Sequence, residues 1–355
     1  MIGTDDVLDT LLLPFTAGQL QWRDDALFLR ARYGVSFAKT ASKELLCAQS
    51  FKPEAEALQR AGLYVSPTLQ DETKNQFSLI LILPPRQRDE ARALYARAMS
   101  LLKPGGIVIA SASNNEGARS LEDDLEKLTG SINTLSKNKC RVFWSIPIAQ
   151  QLNQDLQSQW AELDAIRPIL KGKYLSRPGV FAWDRIDIAS ELLAGHFPTD
   201  LSGVAADLGG GFGYLSDELL QKCSGVTTLH VYEAEHRALQ LSQMNLAKHE
   251  ARVAINYHWH DVTSGLLHKY DTIVSNPPFH THSRTDRPDI GRRFITVAAQ
   301  SLNPGGKLFI VANRHLPYEE VLVEGFDSVK VLAEQQGFKV IAAIKAGAAT
   351  RKVRK

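Results

Sequence analysis

Tyr270–His280 reads Y-D-T-I-V-S-N-P-P-F-H, and the architecture hangs on how this stretch is read. Ile273 and Val274 form an apolar, strand-like run that closes on Ser275. Pro277 and Pro278 have no backbone N–H to donate, so a sheet ladder stops at them. The chain then forms a stiff loop at the carboxyl end of a strand, projecting an amide, Asn276, and an aromatic ring, Phe279. Open α/β sheets take their ligands at that edge.

The same succession occurs twice in the chain. In the second half a strand ends at Pro277 and Pro278, a helix over Arg292–Leu302 reaches N-P-G-G, and a strand begins at Lys307. In the first half, Phe77–Leu83 (F-S-L-I-L-I-L) ends at Pro84 and Pro85, a charged helix over Gln87–Leu102 reaches K-P-G-G, and a strand begins at Ile107. A duplicated α/β domain is the economical explanation. The first copy has Leu83 where the second has Asn276, and Arg86 where the second has Phe279. Its first strand, Ala26–Arg32, runs into no glycine-rich turn; helices are expected near Ala41–Gln49 and over Pro53–Arg60. The first half therefore keeps the scaffold and lacks the polar groups. Expected boundaries are residues 1–155 for a degenerate domain serving stability or RNA docking, 156–173 for a linker, and 174–355 for the active domain.

With 355 residues, 44% hydrophobic and 23% charged, the chain can bury a core in each half. Three widely spaced cysteines, Cys47, Cys140 and Cys223, form neither a disulfide framework nor a zinc pattern and suit a reducing cytoplasm. No apolar run approaches the roughly 20 residues of a membrane span. The 41 basic and 39 acidic residues nearly cancel. Lys345, Arg351, Lys352, Arg354 and Lys355 nevertheless make an acid-free tail, which is either a solvated end or suited to a polyphosphate partner.

Val204–Gly213 reads V-A-A-D-L-G-G-G-F-G. Asp207 ends an apolar run, and Gly209, Gly211 and Gly213 come after it where a Cβ would block close approach of a ligand. The spacing is G-x-G-x-G, not the dinucleotide fingerprint. Glu233 ends the next strand, Leu229–Tyr232, where an acid can accept both hydroxyls of a ribose. Asp261, in H-W-H-D-V, either bonds an adenine amino group or caps a turn.

These neighbours define a task for Asn276. A planar exocyclic amine, its lone pair delocalised into the ring, is a poor nucleophile. The Asn276 side-chain oxygen and the Pro277 carbonyl can hold both amine hydrogens and aim the nitrogen at a sulfonium methyl, while Phe279 stacks on the base. Holding the reactants in line supplies on the order of 7–11 kcal/mol, and no general base of unusual pKa is needed. Arg284, Arg287, Arg292 and Arg293 come next, as a solvated helix start or a phosphate-contacting lip. His258 with His260, and His280 with His282, lack a cysteine or carboxylate set, so no metal site is expected.

V-A-A-D-L-G-G-G-F-G-Y-L-S, Glu233, S-N-P-P-F-H, and I-V-A-N-R-H-L-P-Y over Ile310–Tyr318 together resemble the class I S-adenosylmethionine-dependent ribosomal RNA guanine-N2 methyltransferases, the small-subunit type above all. P-G-V-F at Pro178–Phe181, with Asp184 and Asp187 beyond it, and N-N-E-G-A-R-S at Asn114–Ser120 are similar too. The resemblance implies two tandem Rossmann-like class I methyltransferase domains, the first degenerate. It also implies a cytoplasmic enzyme, expected as a monomer, that uses S-adenosylmethionine on ribosomal RNA or a ribosomal subunit. By motif, Asp207, Gly209, Gly211 and Gly213 would line the methionine part of the cofactor, Glu233 would take the ribose, and Asp261 the adenine. Asn276 and Phe279 would take the guanine, Asn276 lying beside the cofactor as well. The family's loop more often reads D-x-G-C-G-x-G, and Gly210 stands at its cysteine. A-N-R-H-L at Ala312–Leu316 also resembles the large-subunit enzymes. Methylation of adenine N6 in DNA or of a protein glutamine, and a catalytically silent RNA-binding assembly protein, are the competing readings.

Overall fold

The computed structural model describes residues 5–40, 45–69, 76–147, 152–278 and 288–347. They fold as two compact units. One takes the described residues up to Ile166 together with Arg177–Gly179; the other takes Arg167–Ser176 and the described residues from Val180 onward.

The first unit is built on strands β1 (Ala26–Leu29), β2 (Leu46–Ala48), β3 (Tyr64–Ser66), β4 (Phe77–Ile82), β5 (Leu102–Ser113), β6 (Ile132–Lys137) and β7 (Cys140–Ser145). The second has a ribbon, β8 (Arg167–Ile169) and β9 (Tyr174–Ser176). Its sheet is made of β10 (Ser202–Leu208), β11 (Gly225–Glu233), β12 (Ala254–Trp259), β13 (Tyr270–Ser275), β14 (Leu302–Asn313), β15 (Ser328–Gln335) and β16 (Phe338–Ile344). The sheet orders are β3-β2-β1-β4-β5-β7-β6 and β12-β11-β10-β13-β14-β16-β15. Counted from the first strand of each sheet these are one topology twice over: five parallel strands and an antiparallel hairpin. The tandem arrangement expected from the repeated Pro-Pro and P-G-G segments is the one observed.

Strand geometry sends successive side chains to opposite faces, and here both faces are buried. In the first sheet Leu27, Ile80, Ile82 and Val108 join one core, and Phe28, Leu79, Leu81 and Ile109 the other. In the second, Ile273, Leu308 and Ile310 lie on one side, with Val231, Val274 and Phe309 on the opposite side.

Strand registers align the two copies residue by residue. Leu29 pairs with Ile82, and Leu208 pairs with Ser275. The next residues along, Arg30 with Leu83 and Gly209 with Asn276, are therefore counterparts. Both strand ends turn through a left-handed residue, Arg30 at φ 54° and Gly209 at φ 76°. The degenerate copy keeps the backbone turn but fills it with a side chain.

Two expectations need correction. Ala41–Gln49 reads as helix, yet Leu46–Ala48 is strand β2, seated between β1 and β3; residues 41–44 lie outside the described residues. Leu45, Cys47 and Gln49 are buried while Leu46 and Ala48 are half-exposed, a period of two that packing imposes on residues of helical propensity. The stretch 156–173, expected as a linker, contains most of the helix Gln154–Ala161, whose Trp160 is buried in the first unit's core. Among the described residues no helix is long and apolar enough to cross a membrane.

Candidate active site

At the carboxyl end of β10 the chain must reverse into the helix Tyr214–Lys222, and three left-handed glycines allow it: Gly209 (φ 76°), Gly211 (φ 56°) and Gly213 (φ 96°). The Gly209 and Gly210 amides both donate to the Tyr232 carbonyl, at 2.8 and 3.1 Å. A methyl added at Gly210 would lie 2.6 Å from Val231 Cγ1, so the cysteine common at this position would require Val231 to move. The helix His236–Leu246 holds the far side: Ser242 Oγ donates to the Gly211 carbonyl at 2.7 Å, and Asn245 Nδ2 to that of Phe212 at 2.8 Å.

Glu233 lies against this loop. Its Oε2 accepts the Gly211 N–H at 2.8 Å and its Oε1 the Glu235 N–H at 2.7 Å; burial pushes the carboxyl upward. Asp207 is fully buried beneath the loop. Its Oδ2 accepts the Ser216 hydroxyl at 2.7 Å, while Oδ1 is buried without a partner among the described residues. Burial pushes its pKa up to about 7 against the opposing Ser216 hydrogen bond, and the charge of Glu233 adds to the rise. Asp261 caps the turn Val262–Ser264, accepting from the Thr263 N–H at 2.9 Å and the Thr263 hydroxyl at 2.7 Å.

Asn276 comes directly after β13 and is half-buried. Its Nδ2 donates to Asp187 Oδ2 at 2.9 Å and to Ser190 Oγ at 2.8 Å. An ionised carboxylate only accepts, so the nitrogen end of the amide must face Asp187. Both amide hydrogens are then engaged, and Oδ1 keeps its acceptor capacity. A single pocket is lined by Gly209, Gly210, Gly211, Phe212, Asn276, Asp187, Ser190 and Phe181, together with Ala182, Tyr214 and Leu215. The glycine turn and the amide therefore share one space, as a transfer between two ligands requires. Pro277 is buried beside it and Pro278 is exposed.

Not every expected residue converges there. Asp207, Glu233 and Asp261 surround the glycine loop or its sheet edge without lining that pocket. Arg292 Nε donates to the Pro317 carbonyl at 3.3 Å and Arg293 Nε to that of Thr263 at 2.7 Å, so both tie the helix Pro288–Ser301 to neighbouring turns. Phe279, Arg284 and Arg287 lie outside the described residues, as do His280 and His282. His258 pairs instead with His230, Nε2 to Nδ1 at 2.9 Å, in a stack with Tyr232; burial first, then neighbouring histidines, lowers its pKa to about 4. No metal-binding cluster occurs among the described residues.

Sequence reasoning missed Ser190, Ser242 and Asn245 and gave Asp187 no role. D-I-A-S at Asp187–Ser190 carried a signal for a helix cap, and Asp187 does cap Ile188–Gly195. Nothing local pointed from there to Asn276.

The residues present suit S-adenosylmethionine. Glycines without a Cβ permit close approach, Glu233 is an acid at the end of the second strand, and the orphaned Asp207 Oδ1 is an acceptor that an ammonium group would complete.

Residues 171–342 match the family described as the methyltransferase small domain. Over 289 residues the chain is 31% identical to ribosomal RNA small subunit methyltransferase C of Psychromonas ingrahamii, spanning 81% of each chain. With the protein of the same name from Erwinia tasmaniensis it shares 30% over 296 residues, 82% of this chain and 81% of that one. Among solved structures, the T. thermophilus 16S rRNA N2 methyltransferase RsmC, in complex with AdoMet and guanosine, superposes with a TM-score of 0.78 at 23% identity. That match covers 97% of this chain and 93% of that one, and it shows the shared tandem fold. By identity and coverage together, the chain belongs to the ribosomal RNA small subunit methyltransferase C family.

Proposed function

We propose that this protein transfers a methyl group from S-adenosylmethionine to the exocyclic N2 amine of a guanine in 16S rRNA, acting in the cytoplasm as a monomer on RNA or on a ribosomal subunit. The observation that carries this reading is the locked amide of Asn276, which keeps its oxygen for a donor in the pocket it shares with the glycine turn.

When bound, S-adenosylmethionine supplies an electrophilic methyl group, and the C–S bonding pair stays on sulfur. The chain's residues supply geometry. Asn276 Oδ1 accepts one N2 hydrogen and the Pro277 carbonyl the other, which turns the nitrogen lone pair toward the methyl carbon. As the N–C bond forms, N2 gains positive charge and releases one proton to water. Phe279 stacks on the base, which must first leave its own stack at a cost of roughly a few kcal/mol. Arg284, Arg287, Arg292 and Arg293 contact phosphates near the base and make transfer salt-sensitive. Glu233 takes the ribose of the cofactor, Asp261 its adenine, and Asp207 with Gly209, Gly211 and Gly213 its methionine part. The first unit, with Arg30 and Leu83 at the counterpart positions, serves stability or RNA docking.

The test is nucleoside mass spectrometry of rRNA, subunit by subunit, from cells with and without the protein; loss of N2-methylguanosine from the small subunit is expected. Asn276→Ala should abolish transfer while S-adenosylmethionine affinity stays within about a few-fold, because a positioning acceptor is lost. Transfer at the wild-type rate by that variant would remove the loop from the mechanism.

A further inference from the structure

Asp187 has two carboxylate oxygens with different duties. Oδ2 is saturated: it accepts Nδ2 of Asn276 at 2.9 Å and the backbone N–H of Ser190 at 2.9 Å. Oδ1 makes no hydrogen bond or ion pair among the described residues, and Asp187 is half-buried in the wall of the pocket that holds Asn276. One residue thus sets the Asn276 amide with one oxygen and leaves an acceptor-only oxygen beside it.

The chemistry of the bases gives that second oxygen a use. Guanine carries two adjacent donors, N1–H and the N2 amine. 2-Aminopurine carries the same N2 amine but a lone pair at N1, and adenine likewise presents an acceptor at N1. A carboxylate oxygen attracts N1–H and repels a lone pair. We propose that Asp187 Oδ1 accepts the N1–H of the target guanine, so that one carboxylate both orients the amide holding N2 and selects the base. The inference rests on the guanine-N2 reading above and adds a specificity-determining residue to it.

The test uses the full-length protein and synthetic RNA carrying guanine or 2-aminopurine at the position that mass spectrometry identifies. Sites built to hydrogen-bond a substrate reject analogues lacking the donor steeply, so wild type should favour guanine in kcat/KM by at least about 100-fold. Asp187→Asn retains a capping side chain and offers N–H in place of an acceptor; it should narrow the ratio by at least about tenfold, with 2-aminopurine gaining relative to guanine. Ser190→Ala removes the hydroxyl that accepts from the Asn276 amide and keeps the backbone N–H that donates to Asp187 Oδ2; it should lower both substrates by the same factor and leave the ratio unchanged. If Asp187→Asn does not melt cooperatively, Asp187→Ser, also a capping residue, is read the same way. Equal wild-type rates on the two bases, or a ratio unmoved by substitution at Asp187, would overturn the inference while leaving N2 methylation standing. Absence of transfer to guanine by wild type would instead overturn the reading on which it rests.

Discussion

Asp207 shows how burial, as the largest cause, gives a side chain a pH dependence. Its pKa rises from 3.8 to about 7, because desolvation outweighs the Ser216 hydrogen bond and Glu233 lies nearby. A folded value above the unfolded one means the native state holds the extra proton between the two. Stability therefore falls as pH rises from about 4 to about 7 and levels off beyond. Chemical denaturation should show wild type losing ground to Asp207→Asn across that window. An ammonium group of a bound cofactor, were it to meet the orphaned Oδ1, would favour the ionised form. Cofactor affinity measured by calorimetry should then weaken by up to about tenfold per pH unit below 7 in wild type, and far less in Asp207→Asn.

The glycine turn shows what belongs to the element. Its three left-handed residues are set by local sterics, and they are legible as glycines in the bare sequence. Its rigidity comes from the helix His236–Leu246, through Ser242 and Asn245, and from Glu233. At Gly213 both demands coincide: φ is 96°, and an added methyl would meet Leu246 Cγ and the Ser242 backbone at 3.3 Å. Gly213→Ala should cost more than about 1 kcal/mol and weaken S-adenosylmethionine binding, read together by thermal melting with and without cofactor. An unchanged melting temperature would show that the turn relaxes freely. β2 makes the opposite point. Its residues favour helix locally, and only the neighbouring strands β1 and β3 make them extended.

In the whole molecule one topology serves twice, and register shows what each copy places at the same strand ends. The left-handed turn after the first strand survives at Arg30, whose guanidinium reaches Glu90 at 3.4 Å, and an apolar Leu83 stands at the counterpart of Asn276. The first unit also extends beyond residue 155. Trp160 is buried in its core with Arg92 5.2 Å from the ring centroid. Trp160→Ala should destabilise that unit by about 3–5 kcal/mol, as emptying a large core site does; equilibrium unfolding followed by amide exchange in the first sheet measures it.

Read as a bare string, the chain already carries whatever nearest neighbours dictate: strands that stop where proline has no N–H, turns where only glycine tolerates the dihedral, and a repeat of both that announces two like domains. It also puts Asn276 at a sheet edge beside a glycine turn. The direction in which that amide points is a tertiary matter. Its partner Asp187 is 89 residues away in the chain, and a hydrogen bond between side chains so remote leaves no periodic trace in the sequence. It exists because β13 and the capped start of the helix Ile188–Gly195 meet in space.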